Sequence, residues 1–266
     1  MSRPSRLPKV VATDLDGTLL RSDGSVSDRS REALAAAEDA GALVVLVTGR
    51  PPRWMAPVVE QTGHRGIAVC ANGALVYDLH TESVVEEHLL QPEIAAEIVR
   101  ALRDSVPGLA FAVERGTHGF AHEPAYRPGW DTDDKLIAEV DEILREPMAK
   151  LLARHPDLGP DSLLAQGREI VGELATLTHS SRDGLLEISA AGVSKASTLE
   201  LLCAERGYGA DDVVAFGDMP NDIPMLVWAG WSVAVANAHP DVTDIIDEMT
   251  ASNDDDGVAA VLERWL

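Results

Sequence analysis

Asp14 and Asp16 stand two positions apart at the end of an apolar run, VVATDLDGTLL, and Gly17 follows at once. Carboxylates at alternate positions of an extended chain share a face, and a glycine behind them lets the backbone turn tightly. One such carboxylate can attack an electrophile while the other donates and accepts the proton. Three further stretches end apolar runs or open helix patterns in the same way: Thr48-Gly49-Arg50, Lys195, and Gly217 to Asp222 in the order GDMPND. Together they offer a nucleophile, an acid/base, a hydroxyl beside backbone N–H groups, a lysine and further acids. That set suffices to transfer a phosphoryl group through an aspartyl phosphate. In this reading Asp14 attacks phosphorus, while Asp16 protonates the leaving alcohol and then activates water.

A phosphate dianion approaches such acids only against compensating positive charge. Magnesium favours one or two carboxylates with substrate oxygen and water, so Asp14 and Asp218, with the Asp16 carbonyl as a third ligand, form the expected Mg2+ site. Lys195, Thr48 and the amides near Gly49 then face the phosphoryl oxygens. Uncatalysed phosphate-monoester hydrolysis is among the slowest reactions known, with enhancements up to roughly 10²¹-fold, so complete charge compensation is a physical requirement.

Something must bring these stretches together. Apolar strands alternate with amphipathic helices from KVVATDL to the helix after Pro51 and Pro52, which reads as a parallel sheet covered on both faces. Ser27 is a plausible N-cap, and Asn72-Gly73 between two apolar runs signals a hairpin. From about Glu82 the rhythm changes to a second sheet with its own helices. Its segments are SVVEEHLL, a helix from Pro92 to Arg103, LAFAVER, a helix near Asp133 to Arg145, AKLLA, and a helix from Asp161 to Leu174. The strands LATLTHS and LLEISA close it, turned by Arg182-Asp183-Gly184. Residues 116–130 read as a loop. After Gly192 the first rhythm returns. The expected fold is therefore α/β: a doubly wound, Rossmann-like parallel-sheet core, residues 1–81 and 190–266, interrupted by an inserted α/β cap, residues 82–189. Ligands of open parallel sheets gather outside the carboxyl ends of the strands, where all four stretches fall.

Composition narrows the partners. The 266 residues carry 44 Asp and Glu against 22 Lys and Arg, a net charge of -22, and no basic stripe offsets it. Nucleic acid is an unsuitable partner for such a surface. No apolar run spans a bilayer and no apolar stretch follows the basic start, so a soluble, cytoplasmic protein without membrane contact is expected. Cys70 and Cys203 lack partner spacing and read as reduced core residues.

The four stretches DLDGTLL, TGR, GVSKAST and GDMPND, in this order, resemble the motifs of the haloacid dehalogenase superfamily of phosphohydrolases. The long insert, with CANGALVYD before it and AVANAHPDV after the fourth motif, resembles the Cof-type branch with a C2B cap. The resemblance implies Asp14 as nucleophile and Asp16 as acid/base, with Thr48 and Lys195 orienting phosphate and nucleophile. It implies phosphate contacts from Leu15, Thr48, Gly49, Lys195 and Asn221, a magnesium site of Asp14, Asp16 and Asp218, and Asp222 as acidic partner to Lys195. Ala196 stands where the family usually has glycine. The implied substrate is a small phosphorylated metabolite, with sugar phosphates leading.

Other readings of the same residues are a phosphotransferase or phosphomutase, a receiver-like phospho-acceptor module, and a non-catalytic phospho-ligand sensor. The stretch SNDDDGVAAVLE, Ser252 to Glu263, nearly matches a calcium loop but starts its helix directly after the glycine, and an acidic N-cap on the last helix explains it better. His118 and His122 lie in a glycine- and proline-bearing segment unsuited to a helical zinc pair. With Arg115 and Arg127 they are the cap-loop candidates for substrate contact, and Arg50 is a candidate for touching phosphate.

Overall fold

The computed structural model describes residues 4–129, 135–181 and 184–266. The chain begins with β1 (Val10–Thr13), α1 (Asp28–Asp39), β2 (Leu43–Val47), α2 (Ala56–Thr62), β3 (Ile67–Cys70), β4 (Leu75–Asp78) and β5 (Ser83–Glu87). It continues through α3 (Pro92–Ser105), β6 (Ala110–Glu114), β7 (Phe120–His122), β8 (Lys135–Ile137), α4 (Val140–Ile143), β9 (Lys150–Arg154), α5 (Pro160–Val171), β10 (Ala175–Thr178) and β11 (Leu185–Ala190). It ends with α6 (Lys195–Glu205), β12 (Val213–Gly217), α7 (Ile223–Trp228), β13 (Trp231–Ala234), α8 (Pro240–Thr243), β14 (Glu248–Met249) and α9 (Gly257–Leu262).

Among the described residues two sheets form. The first has eight strands in the order β14-β13-β12-β1-β2-β3-β4-β5. Its pairs from β14 to β3 are parallel, and β4 and β5 are antiparallel additions. β1 is fully buried because alternate residues enter different cores: Val11 joins Val44, Leu46, Val214 and Phe216 on one face, and Val10 and Ala12 join Val45, Val47 and Ala215 on the other. At roughly 1.5–3 kcal/mol per buried valine or leucine, this two-sided burial fixes β1 at the sheet centre. The chain runs outward from β1 through β2 and β3, then returns to place β12 on the other side of β1. Strand order therefore reverses at β1 and β12, and the crevice beyond their carboxyl ends is where such sheets bind ligands.

The second sheet has the order β10-β11-β9-β6-β7-β8. One face sends Phe111, Val113, Leu151, Ala153, Leu186 and Ile188 against α3 and α5. The other face carries Ala110, Ala112, Leu152 and Leu185 together with the buried charges of Glu114, Lys150 and Glu187.

Several local expectations need correction. The strand at 83–87, expected in the second sheet, pairs antiparallel with β4 at the edge of the first. The segment 116–130, expected as a loop, contains β7, because Phe120, Ala121 and His122 register against Glu114, Val113 and Ala112. The helix expected near Asp133 to Arg145 shortens to α4, preceded by the exposed edge strand β8; its first residues lie outside the described ones. Tertiary pairing has overridden an acidic-apolar pattern that reads as helical on its own. After Pro51 a short 3-10 turn, Pro52–Trp54, precedes α2. The β10–β11 hairpin is present, while Arg182 and Asp183 of its turn lie outside the described residues. Asp256 stands at the N-cap of α9 but its side chain makes no capping bond; it accepts three bonds from the Arg21 guanidinium instead, and Asp254 accepts from the Ser22 amide and hydroxyl. The acidic run thus ties the last helix to the loop after β1. No helix among the described residues is long and apolar enough to cross a membrane.

Candidate active site

The carboxyl ends of β1, β2 and β12 deliver Asp14, Thr48 and Asp218 as the residues immediately after each strand. Lys195 arrives from below as the first residue of α6, where the Ser194 side chain accepts from the Ser197 amide and caps the helix. That helix start presses on the hairpin glycine: a Cβ on Gly73, whose φ is +102°, would lie 2.2 Å from the Ser194 carbonyl. Ala196, in place of the usual glycine, is buried in the core on the α6 side of the sheet.

Lys195 is fully buried and donates to Asp14 Oδ1 at 2.6 Å and to Asp222 Oδ1 at 2.7 Å. Asp222 Oδ2 accepts from the amides of Asp218 and Met219, each at 3.0 Å. Asp222 is therefore satisfied on both oxygens and holds the lysine in place. Asp218 is held by the Thr18 hydroxyl at 2.8 Å. Carboxylate oxygens of Asp14, Asp218 and Asp222 lie within 4.8 Å of one another, all buried.

The electrostatics of this cluster are unbalanced. Burial opposes the charge on Lys195, but Asp14 and Asp222 outweigh it and hold the ammonium above its ordinary range. Burial holds the Asp14 carboxyl well above its usual range against the pull of Lys195. Burial, reinforced by the charge on Asp222, pushes Asp218 up to about 7. One ammonium faces three carboxylates, which leaves the cluster with excess negative charge, and Asp14 and Asp218 are hard oxygen donors that suit a hard divalent cation. The backbone leaves room for them: a Cβ on Gly17, whose φ is +81°, would sit 2.5 Å from Asp218 Oδ2.

Asp16 stands apart from the buried cluster, its side chain 59% exposed, and Arg50 grips it through Nε at 2.7 Å and NH2 at 2.6 Å. Arg50 thus contacts an acid, not an open phosphate cradle. Asn221 donates to Asn72 Oδ1 at 3.0 Å, and Asn72 Oδ1 lies 3.1 Å from where a Cβ on Gly49 would be. Leu15 and Thr48 are fully buried; Leu15 belongs to the core, and the Thr48 hydroxyl accepts from the Arg50 amide at 3.0 Å, shaping the turn after β2.

A cavity of about 280 Å³ joins both sheets, with Asp14, Asp16, Gly49, Arg50 and Asn221 in its lining. The second sheet faces it with Lys150, Leu152, Arg154, Leu185 and Glu187, and the 180–181 loop completes it. Lys150 spans the two layers, donating to the Gly49 carbonyl at 2.8 Å and to Glu187 at 2.5 Å. Burial opposes the charge on Glu187, but Lys150 and the Ser180 hydroxyl outweigh it and hold its carboxyl below the usual range. Arg53, beside the TGR turn, pairs with Glu114 of β6.

The cap-loop candidates are elsewhere. Arg115 donates to the Ile143 carbonyl, Arg127 to the Pro124 carbonyl, and buried His122 contacts the Glu123 carbonyl through Nδ1; the His118 side chain lies outside the described residues. None of the three described side chains borders the 280 Å³ cavity. Lys150, Arg154 and Glu187, which do, were signalled as charges set within otherwise apolar strands, AKLLAR and LLEIS, because an isolated buried charge is too costly to be incidental.

A model of the haloacid dehalogenase-like hydrolases matches residues 11–262. The 5-amino-6-(5-phospho-D-ribitylamino)uracil phosphatase YcsE of Bacillus subtilis is 29% identical over 265 residues, covering 97% of this chain and 96% of that protein. The pyridoxal phosphate phosphatase YbhA of Escherichia coli is 29% identical over 272 residues, covering 97% and 98%. The solved structure of the subclass IIB sugar phosphatase BT4131 shares the fold, with a TM-score of 0.80 at 19% identity over 97% and 98% of the two chains.

Proposed function

The chain belongs to the haloacid dehalogenase-like hydrolases, and from that premise we propose that it is a magnesium-dependent phosphatase of small phosphorylated metabolites, acting through a phosphoryl group carried on Asp14. The observation that carries the reading is the buried lysine bridge, Asp14 at 2.6 Å and Asp222 at 2.7 Å from one ammonium, with Asp218 alongside. Lys195 holds the nucleophile's carboxylate in one orientation and supplies positive charge beneath the phosphoryl group. Asp16, forked by Arg50 at the cavity mouth, moves the proton: first to the leaving oxygen, then from water. In this reading Asn221 and the backbone amides of Gly49 and Leu15 contact the transferring group. Asp14 and Asp218, with the Asp16 carbonyl, would hold Mg2+, which when bound offers positive charge to the phosphoryl oxygens.

In this reading residues 1–81 and 190–266 form the catalytic core and residues 82–189 the cap that selects the leaving group, with β5 lending its edge to the core sheet. Relatives acting on a ribityl-substituted pyrimidine phosphate, pyridoxal phosphate and sugar phosphates support a small phosphorylated substrate, with sugar phosphates the first class to examine. The test is phosphate release across a panel of phosphorylated metabolites with magnesium, calcium or chelator. Turnover that magnesium restores after chelation, and calcium does not, is expected, because calcium prefers higher and looser coordination. Full turnover in excess chelator contradicts the metal requirement.

A further inference from the structure

Among the charged side chains lining the cavity, Arg154 is the exception. Arg50 is taken by Asp16, Lys150 by Glu187 and the Gly49 carbonyl, and Glu114 by Arg53. Among the described residues no carboxylate makes an ion pair with Arg154, although it sits half-buried at the end of β9. Its Nε is buried with no hydrogen-bond partner. The guanidinium carbon lies 6.0 Å from the centre of the buried Tyr126 ring, and a Cβ on Gly129 would come within 3.0 Å of NH2. The arginine is thus walled in by a ring and by bare backbone, a setting that restricts its planar fork. Leaving a buried N–H without an acceptor is costly, and a guanidinium fork matches a carboxylate or a phosphate in two parallel bonds.

Position gives the unpartnered Nε–H a meaning. Lys150, Leu152 and Arg154 alternate along β9 and face one cavity. Lys150 marks the end at the TGR turn through its bond to Gly49, and Arg154 lies four residues further along the strand, about 13 Å at the usual rise. Leu152 and Leu185 form an apolar wall in the same cavity.

We infer that Arg154 recognises a second anionic group on the substrate. The substrate class is a phosphate monoester whose leaving alcohol has an apolar or aromatic middle and carries a carboxylate or a second phosphate at its far end. This rests on the phosphatase reading above and adds the chemistry of the leaving group to it.

The test uses matched aryl phosphates with the full-length protein and magnesium: 4-methylphenyl phosphate as the neutral probe, 4-carboxyphenyl phosphate and 1,4-phenylene bisphosphate as the two anionic ones. The wild-type protein should favour at least one anionic probe in kcat/KM. Arg154→Ala should lower the anionic-to-neutral ratio by about 10- to 100-fold, the range of a charge-assisted hydrogen bond, and Arg154→Lys should recover part of it. The probe with the larger loss identifies the anion as carboxylate or phosphate. Unfolding midpoints of both variants establish that the ratio is read on folded protein. If the wild type hydrolyses all three probes but the ratio is unchanged in Arg154→Ala, the inference is overturned while the phosphatase reading stands. If the wild type hydrolyses neither these probes nor any metabolite of the panel, both are overturned.

Discussion

Replacing Asp218 with asparagine should stabilise the metal-free protein at mildly alkaline pH while removing its response to magnesium. The Asp218 carboxyl titrates at about 7 in the folded chain against an ordinary 3.8, because burial and the neighbouring Asp222 charge disfavour its ionised form. The folded state therefore binds more protons than the unfolded state between those two values. Stability from this group is fully present below about pH 4, declines as pH rises through the window, and is lost above about pH 7. At 1.36 kcal/mol per pKa unit the decline is on the order of 4 kcal/mol. Asparagine keeps an acceptor for the Thr18 hydroxyl, now at 2.8 Å from Asp218, but carries no charge to be buried. Urea unfolding in chelator should show Asp218→Asn above wild type by a few kcal/mol near pH 8, with the two curves converging toward about pH 4. Magnesium at about 100 times its dissociation constant should add roughly 2.7 kcal/mol to the wild type and little to the variant. An Asp218→Asn protein that is less stable than wild type in chelator near pH 8, or that keeps the full magnesium gain, would refute the argument that this carboxylate awaits a cation.

Three other outcomes follow from named contacts. Lys150→Met leaves Glu187 buried without its ammonium, so it should cost about 3–5 kcal/mol in urea unfolding, and adding Glu187→Gln should recover most of that in a double-mutant cycle. Burial pushes the Cys70 thiol up to about 12 and the Cys203 thiol up to about 11, so iodoacetamide near pH 8 should label neither in the native protein and both after unfolding. Asp16→Ala should lower kcat by roughly 10²- to 10⁴-fold in phosphate-release assays, while leaving magnesium stabilisation in place.

The core was readable because its strands are buried on both faces: VVAT and LVVLV have nowhere to sit but mid-sheet, and polar residues directly after such strands point to the ligand crevice. Asp14 and Asp218 are legible for that reason, Asp16 by its alternation with Asp14, and Lys195, which opens a helix, only through the motif GVSKAST. The cap was less readable. Phe120 to His122 is a three-residue strand whose existence depends on register against β6, a long-range pairing that local pattern does not carry. Asn72 reads as a turn residue, and it is one, with φ at 58°, but its bond to Asn221, 149 residues away, is visible only in three dimensions. Lys150 and Glu187 leave a trace in the sequence as charges within apolar strands, a signal that the exposed-looking histidines and arginines of 115–127 outweigh in a local reading.

The most direct measurement is acid-quench trapping during steady turnover of a good substrate, followed by peptide mass spectrometry. The account predicts one phosphoryl group on the peptide holding Asp14, removed by hydroxylamine, more abundant in Asp16→Ala and absent from Asp14→Asn, which turns over no substrate. Phosphoryl label on a different residue, or undiminished turnover by Asp14→Asn freed of contaminating phosphatase, would contradict it.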